Sequence, residues 1–182
     1  MERNRLSVRD MCFIAIFTAL IIAVVPIRIP MPTGVPMTLQ TFVIPLAGVV
    51  LGSRRGTYSV LVYLLLGVVG LPIFAGPVPG GIGAILGMTG GFILSFPFMA
   101  WAAGRGAGKR SVLWLTLWLV IGMAVNFLCG MVQFMIVTGS GLEVAFLGVV
   151  LPFLLGDAIK LVLLVILGPQ VRRLLERSGV LV

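Results

Sequence analysis

The 182 residues are 60% apolar and only 10% charged, with a mean hydropathy of +1.23, far beyond the usage of water-soluble domains, so lipid is the expected solvent. Histidine is absent, which removes the commonest general base and metal ligand, and no cluster of Cys and acidic residues replaces it, so an enzyme or a metal site is not expected. The formal charge of +8 falls in short clusters between apolar runs, which reads as a topology signal and not as a nucleic-acid surface.

A bilayer core about 30 Å thick asks for about 20 predominantly apolar residues per helix. Six such runs follow one another, predicting an all-α integral membrane fold: a bundle of six transmembrane helices forming one domain over residues 1–182. Met1 to Asp10 carries three arginines ahead of the first run and imitates a signal peptide, but no small-residue cleavage site precedes Pro26, so the run is kept as a helix. That first span covers residues 11–25 and stops at Pro26. Pro30, Pro32 and Pro36 then leave only an extended, irregular connector. The second span, 39–51, is short; the third, 57–69, ends near Pro72. A stretch rich in Gly and Pro leads into the fourth, 84–103, and the fifth covers 112–137. The sixth, 142–167, is interrupted, with Pro152 suited to the first turn of a new helix.

Basic residues near helix ends collect on the cytoplasmic side. With both termini inside, the inner segments hold Arg3, Arg5, Arg9, Arg54, Arg55, Arg105, Lys109, Arg110, Arg172, Arg173 and Arg177, eleven of the thirteen; the outer connectors hold only Arg28. Trp101 and Trp114 flank the 105–110 inner loop as an interfacial belt would. The outer connectors are apolar and rich in Gly and Pro, and irregular backbone near membrane depth is tolerated only against protein or a cavity. They are therefore expected to fold over the outer end as a lid.

Within the spans, charge is nearly absent except at Asp157 and Lys160, three apart and so on one helical face. Each costs about 2.5–3.5 kcal/mol at the bilayer centre on insertion scales, so the pair must face the protein interior, either as a neutralising ion pair or as anchors for a polar ligand. Lys160 lies about 18 Å along the helix from Arg172, in the outer half. Weaker polar candidates are Thr38 and Gln40, beside the first outer connector, and Asn126 and Gln133, on one face of the fifth span. Small residues recur at fourfold spacing at Ala15, Ala19 and Ala23, and again at Gly83, Gly87 and Gly91, which permits close helix approach. The near-phosphate run GRGAGKRS, Gly104 to Ser111, lacks the spacing and the Lys-Ser/Thr step of a P-loop, so no nucleotide engine is visible. Cys12 and Cys129 sit in apolar segments and imply no disulfide.

Four segments taken in order, VPMTLQTFVIPLAGVVLGSRRG from Val35, YLLLGVVGLPIFAG from Tyr63, GGIGAILGMTGGF from Gly80 and LPFLLGDAIK from Leu151, resemble the BioY family, the substrate-capturing S components of energy-coupling factor (ECF) vitamin transporters. The resemblance covers nearly the whole chain. It implies high-affinity capture of biotin near the outer face, beneath the connector between the first two helices, with no cofactor. It makes Asp157 and Lys160 the anchors of the bicyclic head of biotin, and has Gly80 and Gly81 line or close the pocket. Phe92 stands where the family often has Tyr, which keeps ring packing and puts a hydroxyl contact in doubt. The resemblance further implies docking of a transmembrane T component on Ala15, Ala19 and Ala23, two ATPase subunits below it, and a bacterial cell membrane as the location. The alternative is a self-sufficient, dimerising carrier driven by ion or proton movement through Asp157, against which the lack of a visible inverted repeat counts.

Overall fold

The computed structural model describes residues 6–109 and 111–179, which hold seven helices and one short β-ribbon. Helix α1, Val8–Ala23, starts in a capping box: Asp10 N–H donates to Ser7 Oγ (3.1 Å) and Ser7 N–H to Asp10 Oδ2 (3.0 Å). The proline-rich connector after it is more ordered than expected. Its ends pair as an antiparallel ribbon, β1 (Arg28–Ile29) with β2 (Met37–Thr38), and the three prolines, which cannot donate to a ladder, all fall between the paired residues.

Helix α2, Gln40–Val68, contains both the second and third expected spans. Gly52 breaks it at φ 83°, ψ 171°, a conformation that only glycine enters without strain. The chain reverses there: Gln40 and Tyr63 would lie about 34 Å apart on a continuous helix, yet their side chains are hydrogen bonded at 2.7 Å. The rods 40–51 and 53–68 thus meet without a loop, and the residues expected to connect them, Arg54 and Arg55 among them, are helical. A Cβ on Gly48 would stand 2.0 Å from the Ala100 carbonyl, so the close crossing of α2 and α4 depends on that position staying bare.

The fourth expected span is two helices, α3 (Ile82–Leu86) and α4 (Gly90–Ala107). Extended backbone at Gly87 ends α3, and Gln133 Nε2 donates to the carbonyls of Ile85 (2.6 Å) and Gly87 (2.9 Å), supplying bonds that a continuous helix would have made internally. Gly104 to Ala107 belong to α4, so the near-phosphate run is a helix end and not a phosphate loop. Helix α5 is Val112–Thr138, closed by Gly139 at φ 70°. The interrupted last span is α6 (Leu142–Val149) and α7 (Leu151–Arg177), with Pro152 in the first turn of α7. Helix α7 runs ten residues past the expected 167, because the expectation stopped where the apolar run stopped, while a helix continues into water without one. Helices α5 and α7 are long and apolar enough to cross a membrane.

Helix α2 lies at the centre, packed on α1, α4 and α7, and α4 packs in turn on α5. One end of the molecule gathers the cations. Asp10 pairs with Arg55 at 2.8 Å, Arg172 donates to the Ala107 carbonyl at 3.3 Å, and the Arg9 guanidinium bonds the Gly179 carbonyl. Arg105 lies over the Trp101 ring and Lys109 over Trp114, in a cluster completed by Trp118. Arg3, Arg5 and Arg110 lie outside the described residues. The opposite end carries the ribbon, the 69–81 connector and Gly139.

Candidate functional site

Between the ribbon end and the upper halves of α2, α4, α5 and α7 lies a cavity. Its walls are mainly aromatic, from Phe92 and Phe96 on α4, Phe127 on α5 and Phe153 on α7. Val35 and Pro36 of the first connector and Ala75 of the second cover it. Val35 and Ala75, like Ile73 and Phe74 beside it, are buried, which is why apolar connectors are stable here: they shield the bundle end instead of facing solvent.

One wall is polar. Asp157 is 2% exposed, and its Oδ1 accepts from Lys160 Nζ (2.7 Å) and from Thr41 Oγ1 (2.8 Å). Lys160 Nζ also donates to Thr41 Oγ1 (2.8 Å) and to the Thr38 carbonyl (2.7 Å). All three ammonium hydrogens therefore have acceptors, whereas both bonds to Asp157 fall on Oδ1, leaving Oδ2 its acceptor capacity. Buried charge at this depth is tolerable because each member is paired and hydrogen bonded; removing one partner would leave the other charge uncompensated. The constellation is a carboxylate acceptor beside an ammonium, set in an apolar wall: chemistry for holding a small polar head by hydrogen bonds, with no activated nucleophile in it.

Of the residues singled out from the sequence, Thr38, Gln40, Phe92, Asn126, Asp157 and Lys160 all line this cavity. Thr38 contributes its backbone carbonyl to Lys160. Gln40 Nε2 bonds the Tyr63 hydroxyl, which donates to the Ile73 carbonyl at 3.1 Å and so ties the second connector to α2. Asn126 Nδ2 spends both hydrogens on the Phe92 carbonyl (3.0 Å) and Ser95 Oγ (2.7 Å), so only its Oδ1 is left for a ligand. Gly80 and Gly81, expected to line or close the pocket, are not part of the cavity's lining. A Cβ on Gly80 would lie 2.4 Å from the Leu71 carbonyl, and Gly81 N–H donates to Gly67 O at 2.7 Å; both serve the turn of the 69–81 connector. Ala15, Ala19 and Ala23 sit on the exposed face of α1, opposite the buried Ile14, Phe17, Thr18 and Ile21. Sequence reasoning missed Thr41 and, of the aromatic walls, Phe96, Phe127 and Phe153. Thr41 follows Gln40 at the start of an apolar run, a polar pair that was the available signal; the phenylalanines are indistinguishable in sequence from ordinary core.

The BioY family model matches residues 1–177. The chain belongs to the BioY family. A probable biotin transporter BioY of Pyrococcus horikoshii is 39% identical over 92% of this chain and 98% of its own length. The biotin transporter BioY of Thermotoga maritima is 35% identical over 91% and 97%. Among solved structures, the S component for biotin from an ECF-type ABC transporter matches with a TM-score of 0.80 and 25% identity, covering 95% of each chain. BioY proteins are transporters and not enzymes, which agrees with a site built from paired, hydrogen-bonded charges.

Proposed function

We propose that this protein captures biotin in the cavity at Asp157 and Lys160 and feeds it to an ECF-type transporter as the S component. The single observation that carries the reading is the buried Asp157–Lys160 pair at the polar wall of a phenylalanine-lined cavity in a BioY chain. Biotin has a ureido group with two N–H donors and one carbonyl. Asp157 Oδ2 suits an N–H. A ligand carbonyl reaches Lys160 by replacing one of its present acceptors, the Thr38 carbonyl or the Thr41 hydroxyl. The sulfur ring and aliphatic tail match Phe92, Phe96, Phe127 and Phe153, where burial of apolar surface drives binding.

The same reading places the chain in a cell membrane as one domain with six spans: α1, the rods 40–51 and 53–68, α3 with α4, α5, and α6 with α7. Support comes from the gathering of cations at one end, which under the positive-inside rule favours cytoplasmic termini and a biotin cavity toward the outside. A T component docking on Ala15, Ala19 and Ala23 and two ATPase subunits would supply the energy that this chain has no motif to harvest.

Calorimetric titration of the purified protein with biotin tests the site. Asp157→Asn and Lys160→Ala should each weaken binding by at least about tenfold, or about 1.4 kcal/mol. Undiminished affinity in both variants would return the pair to a structural role. Flux in vesicles without any ATPase partner, abolished by collapsing the ion gradient, would instead favour a self-sufficient carrier.

A further inference from the structure

At the opposite end from the biotin cavity, the ends of α4 and α7 and the start of α5 border a second, partly open space. Its rim carries Lys109, Arg172, Arg173 and Glu176, three positive charges against one negative, and its floor is apolar, from Val49, Leu115 and Pro169. Arg172 is already committed to Glu176 (2.8 Å) and to the Ala107 carbonyl (3.3 Å), which fixes the inner wall. Lys109, 4.1 Å over the Trp114 ring, and the exposed Arg173 leave a mouth with net positive charge among the described residues. From that mouth, exposed apolar side chains continue along both bordering helices, Val112 and Leu113 on α5 and Ile166 and Leu167 on α7. A basic rim over an apolar floor, opening onto apolar helix faces, matches an amphiphile with an anionic head and hydrocarbon chains; a free anion would make no use of the apolar part.

We propose that this space is a binding site for the phosphate headgroup of an anionic phospholipid, held by Lys109 and Arg173 with its acyl chains along α5 and α7. The chain's 3 tryptophans form one cluster beside the site, so their fluorescence reports on it. The intact protein is reconstituted in phosphatidylcholine bilayers containing small, increasing fractions of brominated phosphatidylglycerol or, separately, brominated phosphatidylcholine. The anionic lipid should quench more at equal bromine content, with the excess saturating at low fraction. In the Lys109→Gln/Arg173→Gln double variant the ratio of the two quenching curves should fall to that of a random lipid mixture, while biotin binding is retained as evidence of folding. Equal quenching by the two lipids in wild type, or an excess that survives in the double variant, overturns the proposal. Loss of the excess on adding inorganic phosphate at constant ionic strength would assign the site to free phosphate and overturn the lipid as occupant.

Discussion

Thr41 holds the ion pair together from the side: its hydroxyl accepts from Lys160 and donates to Asp157, at 2.8 Å in each case. Charge-assisted hydrogen bonds are the strong ones, and both of these are partly shielded from solvent. Thr41→Val keeps the shape and removes the hydroxyl, so biotin affinity should fall by about tenfold, or about 1.4 kcal/mol, in a calorimetric titration. If affinity is unchanged, the pair keeps its geometry without Thr41. Asp157 and Lys160 were legible before any coordinates, because two charges in an apolar helix have few physical excuses. Thr41 was not, since a hydroxyl near a helix start is usually satisfied locally, and the contacts of Gly80 and Gly81 with the Leu71 and Gly67 carbonyls are ones that no spacing reveals.

At the level of elements, helix ends were read where apolar runs or prolines end, and this served α5, matched within a residue. It failed where a single residue does the work of a loop: Gly52 reverses the chain inside what is otherwise unbroken helical sequence, and the split between α3 and α4 is stabilised by Gln133 from another helix. The start of α1 was not anticipated in its detail either. There the Ser7 backbone N–H, with help from the Ser7 hydroxyl and from Arg55 and Arg9, holds the Asp10 carboxyl below its ordinary value of 3.8 against an opposing push from burial. A carboxyl depressed in the folded state stabilises the protein fully above its unfolded value and loses that contribution as pH falls through the folded one. The thermal midpoint of wild type should therefore exceed that of Asp10→Asn near neutral pH, and the gap should close below about pH 4. A gap independent of pH would remove the carboxylate from the account.

For the whole molecule, the two ends differ in kind. Apolar connectors cover a phenylalanine-lined cavity at one end; cations and tryptophans occupy the other. The alanine face of α1 is left open, with Ala15, Ala19 and Ala23 all exposed. If it is the docking face for a T component, Ala19→Leu should leave biotin affinity intact and reduce uptake in cells supplying the ECF partners by about tenfold or more, because a larger side chain prevents close helix approach. Uptake at the wild-type rate would displace docking from this stripe.

Helical class, membrane solvent, the clustering of basic residues and the Asp157–Lys160 pair could all be read from residue order, because each follows from a local rule: apolar length against bilayer thickness, and the cost of charge in lipid. Reversal at Gly52, the partners of Lys160, the use of Gln40 and Asn126, and the walls at Phe96, Phe127 and Phe153 became visible only in three dimensions. Those features rest on contacts between residues 23 to 122 positions apart, and which distant groups meet is set by how the helices pack together, a property that no local pattern carries.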